Sequence, residues 1–206
     1  MKALVPRGLR GLPALPDACL LVLDLQFLFT DPASPACVPA WEGRREQAKA
    51  LVRGFIERGL PVLPLRHAHP RWDRGGTMGM FFDRLQRPDD PLSALDRGAA
   101  DLPEGLMVLT KRRLSAMSVP AVVRAARAAG TVVIIGVQTH LCVLATAVEA
   151  ARFSVRPVVV SDAVAARDQS LHEAALAVLA SGHAHVATTR EVLDALRPPE
   201  GRYGRP

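Results

Sequence analysis

The stretch IIGVQTHLCVLATA, Ile134 to Ala147, decides how the chain is read. Together with Thr131 to Val133 it starts as a β-branched, apolar run, the pattern of a strand buried on both faces. Gly136 and then Gln138, Thr139 and His140 interrupt that run, and a leucine- and alanine-rich helical segment follows from Leu141 to Arg152. Cys142 stands where strand gives way to helix. A buried cysteine usually packs as a small apolar group. At a helix start, however, backbone N–H groups and the helix dipole favour negative charge, which eases formation of a thiolate.

Working outward, similar apolar runs recur at 19–24 (CLLVLD), 61–67 (PVLPLRH), 106–111 (LMVLTK), 155–163 (VRPVVVSDA) and 183–188 (HAHVAT). Helical patterns lie between them. From Trp41 to Arg58, the residues Ala48, Leu51, Val52, Phe55 and Ile56 share one face, with Gly59 as the closing residue. Ser118 and Pro120 open a helix that Gly130 closes. Ser170 with Glu173, and Thr188 with Glu191, read as two capping boxes. Strands buried on both faces and separated by helices predict one α/β domain, a three-layer α/β/α fold around a mainly parallel six-stranded sheet.

Charge sharpens the boundaries. Of the formal +6, residues 1–16 carry +3 and residues 197–206 carry +2, leaving +1 for residues 17–196. The expected organisation is a basic N-terminal arm (1–16), a folded domain (17–196) and a basic C-terminal tail (197–206). A nearly neutral body argues against a nucleic-acid partner. The run from Ala18 to Phe29 is too short, and too interrupted by Asp24, to span a membrane. Cys19, Cys37 and Cys142 form neither a C-x-x-C pair nor an even framework, which fits a reducing cytoplasm.

In parallel α/β sheets, function gathers at the carboxyl ends of the strands. Three strand ends here carry reactive side chains: Asp24, Lys111 and Cys142. Arginine outnumbers lysine 23 to 3, so a lysine at a strand end points to a need for a compact ammonium; Lys49, on an ordinary helix, weakens that inference. An ammonium near a thiol stabilises the thiolate, and a carboxylate in reach can take the thiol proton and return it to a leaving group. These elements predict a low-pKa nucleophilic cysteine. The long segment from His67 to Leu106, with Gly75, Gly76 and Gly79, starts at the same end of the sheet and reads as functional.

The residues resemble a known family. GVQTHLCVLATA is similar to the nucleophile motif of the isochorismatase-like cysteine hydrolases, which include nicotinamidases, N-carbamoylsarcosine amidases and related amidohydrolases. LVLDLQFLF resembles the family's first strand with its acid, LTKRRLSAM its lysine segment, and VVVSDAVAARD with HEAALAVL its C-terminal part. The resemblance runs from about Cys19 to Leu196, so residues 17–196 would form an isochorismatase-like hydrolase domain. It implies Asp24 as general base, Lys111 as charge-stabilising ammonium and Cys142 as nucleophile. It also implies a cis peptide between Val137 and Gln138, with the Gln138 and Cys142 N–H groups forming an oxyanion hole.

Nicotinamidases carry a D-x-H-P metal motif; here the stretch is HAHP, with His67 in place of the acid. The expectation is therefore no metal and no cofactor, although His67 and His69 with Asp73 offer a candidate ligand set. Gln26, Phe29, His67, Phe81, Phe82 and His140 are candidate substrate-binding residues, while His172, inside a capping pattern, reads as a helix-surface residue. The expected activity is hydrolysis of a C–N bond in a small amide or carbamoyl compound through a thioester. Isochorismate-type vinyl ether hydrolysis and an idle oligomeric binding protein are the alternatives. The expected partners are a small-molecule substrate and further copies of the chain, as a dimer or tetramer.

Overall fold

The computed structural model describes residues 12–82 and 84–196. Most of the basic arm and all of the 197–206 tail lie outside the described residues. Six strands form one sheet: β1 (Cys19–Leu23), β2 (Val62–His67), β3 (Leu109–Lys111), β4 (Thr131–Val137), β5 (Arg156–Ala165) and β6 (His185–Ala187). Their order is β3-β2-β1-β4-β5-β6, and every neighbouring pair is parallel.

Seven α-helices accompany the sheet among the described residues: α1 (Phe27–Thr30), α2 (Arg45–Glu57), α3 (Met78–Phe81), α4 (Pro120–Ala129), α5 (Leu144–Ala150), α6 (Gln169–Ala180) and α7 (Thr189–Ala195). Every residue of β1 and β4 is buried. Alternate side chains of β1 serve opposite layers. Leu20 and Val22 pack with Leu51 and Phe55 of α2 and Val192 of α7, whereas Leu21 and Leu23 pack with Val122 and Ala126 of α4 and Leu179 of α6. Each such aliphatic side chain contributes about 1.5–3 kcal/mol on full burial. This double covering gives the expected three layers.

Local differences from the sequence reading have local causes. The helix expected from Trp41 splits into a 3-10 segment, Pro39–Arg44, and α2. The α6 cap is Asp168, which accepts from the Leu171 N–H at 3.1 Å; Ser170 instead donates to Asp168 and Glu173 accepts from Gln169, so no capping box forms there. The Thr188–Glu191 box does form. Gly59 and Gly130 adopt the expected left-handed closing conformations.

The strand order reverses between β1 and β4, so their carboxyl ends diverge around a crevice, where ligands bind in open α/β sheets. Two backbone features mark this point. Gly136, at φ +112°, faces Leu23 so closely that an added Cβ would overlap its carbonyl oxygen. Asp24 adopts a left-handed φ of +55°, a conformation rare outside glycine that concentrates at functional turns.

Candidate active site

β1 delivers Asp24, β3 delivers Lys111 and the segment after β4 delivers Cys142 to one buried cluster. The Lys111 ammonium lies 2.9 Å from Asp24 Oδ2, 3.2 Å from Cys142 Sγ and 3.1 Å from His67 Nδ1, and donates to the Arg113 carbonyl at 3.3 Å. Asp24 Oδ1 is buried without a hydrogen-bond partner among the described residues. Asp24, His67 and Cys142 present ligand-type atoms within 4.8 Å of one another, and the ammonium sits among them where a cation would be held.

Cys142 does not open an α-helix. The Val137–Gln138 peptide is cis, Thr139–Val143 forms a single π-helical turn closed by Val143 N–H to the Gln138 carbonyl at 3.3 Å, and α5 begins only at Leu144. Such π turns recur at functional sites. Two contacts brace the turn. Thr146 Oγ1 donates to the Cys142 carbonyl at 2.6 Å and accepts from Ala116 N–H at 2.9 Å. Thr139 Oγ1 lies 2.9 Å from His172 Nδ1, and both residues are buried, so His172 is not a surface residue.

The electrostatics correct the expected low thiol pKa. Burial, then the Asp24 carboxylate, outweigh Lys111 and push Cys142 up to about 12. Its resting form is the thiol. For Lys111, burial opposes the charge, but Asp24 and then Cys142 outweigh it and hold the ammonium above its ordinary value.

His67 and His69 continue the cluster outward. Burial, then the Lys111 charge, lower His67 to about 2, so its ring is neutral. An ammonium only donates, so Nδ1 of His67 accepts and its hydrogen sits on Nε2, 2.7 Å from His69 Nε2. His69 must accept there and carry its own hydrogen on Nδ1, which lies 3.5 Å from Asp73 Oδ2. Asp73 accepts from Gly75 N–H and pairs with Arg112 and Arg113 at 3.2 and 3.4 Å. That backbone bond, helped by Arg113, keeps its carboxyl below the ordinary value.

A cavity of about 330 Å³ opens over Asp24, His67 and Cys142, and Gln138 lines it as well. The isochorismatase domain family matches residues 18–191. The chain belongs to that family. This isochorismatase-family hydrolase is 29% identical over 186 residues to maleamate amidohydrolase of Pseudomonas putida, covering 86% of each chain. It is 31% identical over 180 residues to phenazine biosynthesis protein PhzD1 of Pseudomonas aeruginosa, covering 86% of this chain and 85% of that one. Its fold matches a cysteine hydrolase from Pseudomonas syringae with a TM-score of 0.80, at 21% identity over 95% of this chain and 98% of that chain.

Within the hydrolase, Phe29, His67 and Phe82 line the cavity, whereas Gln26, Phe81 and His140 do not. Gln26 is fully buried and its amide is occupied. It accepts from His67 N–H at 2.8 Å and donates to the His67 and Ser93 carbonyls at 3.1 and 2.9 Å. It therefore ties the ends of β1 and β2 to the 86–93 segment. Phe81 is 82% exposed and is not part of the cavity lining. His140 precedes Cys142 by two residues within the π turn and falls outside the lining.

The sequence reading missed the bracing roles of Thr139, Thr146 and His172. No spacing signal announces them; only the β4–α5 turn brings them to the site. The candidate set His67, His69 and Asp73 was visible, but not its order as a row leading to Lys111, with His69, His67 and Lys111 in hydrogen-bond contact and Asp73 3.5 Å beyond His69.

Proposed function

We propose that this hydrolase cleaves the C–N bond of a small amide or carbamoyl compound through a thioester on Cys142. The observation that carries the reading is the buried cluster of Asp24, Lys111 and Cys142 beneath the cavity, with Asp24 Oδ1 unpaired. An amide-cleaving relative, the maleamate amidohydrolase, supports the choice of bond.

In this reading Asp24 takes the thiol proton as Sγ bonds to the substrate carbonyl carbon. A thiol held near 12 gives up its proton during attack rather than before it. The carbonyl π electrons move to oxygen, and the Gln138 and Cys142 backbone N–H groups receive the resulting oxyanion. Collapse breaks the C–N bond, and the nitrogen departs as ammonia or an amine carrying the Asp24 proton. Water then attacks the thioester, losing its proton to Asp24, and the departing sulfur takes that proton back. Lys111 offsets negative charge on sulfur and carboxylate throughout. No metal or cofactor enters these steps.

Two coarser expectations join the proposal. The strongly exposed Trp72, Met80 and Phe81 support assembly into a homo-oligomer. The three unpaired cysteines support a reducing, cytoplasmic setting, and no helix of the described residues is long and apolar enough to cross a membrane.

An ammonia-release screen over small amides, ureides and carbamoyl compounds tests the reading, with Cys142→Ala as the control. Release that vanishes in the variant is the expected result. Turnover that survives Cys142→Ala would contradict it.

A further inference from the structure

The cavity wall carries information about substrate that the reactive cluster does not. Each reactive residue is accompanied by an apolar wall residue on its own segment: Leu28 and Phe29 follow Asp24, Leu114 follows Lys111 and Leu141 precedes Cys142. Met78 and Phe82, from the α3 region, line the cavity as well. The charged groups of the wall are already matched. Arg84, the one described arginine or lysine in the lining, lies 2.8 Å from Asp90, which lines the same cavity, but its side chain is 81% exposed, so it stands at the solvent edge and puts no buried cation inside the cavity. Asp24 is paired with Lys111, and His67 is neutral. An entering carboxylate would meet no unpaired cation among the described residues and would approach two carboxylates. Ser93, Gln86 and Gln138 are neutral polar points of the wall; Ser93 is fully buried, and its hydroxyl has no partner among the described residues.

We infer that the substrate is a neutral amide with an apolar acyl group, rather than an acidic half-amide, on the juxtaposition of an aliphatic and aromatic wall, the lack of a buried unpaired cation among its described residues, and an unpartnered Ser93 hydroxyl. This rests on the amide reading above. Burying an apolar acyl chain against that wall stabilises the complex, whereas burying a carboxylate without a partner is costly. The inference separates this chain from the specificity in the name of its relative, maleamate amidohydrolase.

The test compares hexanamide with adipic acid monoamide, which has the same chain length and a terminal carboxylate. For wild-type enzyme, kcat/KM should favour hexanamide by about tenfold or more, the scale of discrimination an apolar pocket supplies. Equal turnover, or preference for the acid, would overturn the inference. Binding of both compounds to Cys142→Ala, measured by calorimetry, separates specificity from chemistry. If neither compound is hydrolysed but hexanamide binds more tightly, the substrate class stands and the hydrolytic reading is what fails. If neither is hydrolysed and the acid binds as well or better, or neither binds, the inference is overturned.

Discussion

Lys111 has four partners within 3.3 Å and a side chain with no exposed area. Guanidinium is planar and wider, with donors in a fixed fork, whereas ammonium is a compact charge with rotatable donors. Lys111→Arg keeps the charge but not the geometry, so kcat/KM should fall by on the order of 10²-fold or more. Overpacking a closed site should also cost about 1–3 kcal/mol of stability. Paired measurements of turnover and thermal midpoint check both; near-wild-type turnover would remove Lys111 from the reacting cluster. Cys142 gives a second prediction. With the thiol pushed up to about 12, alkylation of Cys142 by iodoacetamide should keep rising with pH from 7 to 10 without a plateau. A plateau below pH 8 would restore the low-pKa thiolate that its place after β4 had suggested.

At the scale of elements, the π turn depends on its braces. Thr146→Val keeps the shape but removes the hydroxyl that joins the Cys142 carbonyl to the Ala116 N–H. Orphaning those buried groups should cost about 1–3 kcal/mol, read as a lowered urea midpoint, and turnover should fall with it. The strands were legible because a run such as CLLVLD can be buried on both faces only in a covered parallel sheet. The clustering of Asp24, Lys111 and Cys142 was legible because those strands end in Asp24, Lys111 and, just beyond, Cys142. The turn itself was not. Leu141 to Arg152 has helical composition, and the contacts that accompany its π-helical first residues, Thr139 with His172 and Thr146 with Ala116, come from other segments. The bonds of Gln26 were not legible for a similar reason: its partners at His67 and Ser93 come from distant segments.

For the whole molecule, the buried histidine row links the site to stability. His67 is pushed from 6.5 to about 2 by burial and by Lys111. As pH falls below 6.5 the unfolded chain binds a proton there that the folded chain refuses. Its contribution is therefore complete above about pH 6.5 and is lost progressively as pH falls towards 2. Urea midpoints should decline across the acid side of that window, and His67→Asn should make the decline shallower by one proton, even though the variant starts less stable. An unchanged slope would mean that His67 is protonated in the folded protein. The fold's overall plan, one α/β domain whose residues 18–191 match a known family, was legible because the buried strands and their reactive ends agreed. Cavity chemistry was less so, since its wall is drawn from the α1, α3 and β3–α4 segments, which only folding brings together.

The central claim is that Cys142 carries the acyl group. Intact-mass spectrometry of enzyme acid-quenched during turnover of an amide tests it most directly. The expected result is an adduct equal in mass to the substrate less its released amine, one that maps to Cys142 and is absent from Cys142→Ala. Sustained hydrolysis with no such adduct, and with activity retained in Cys142→Ala, would contradict it.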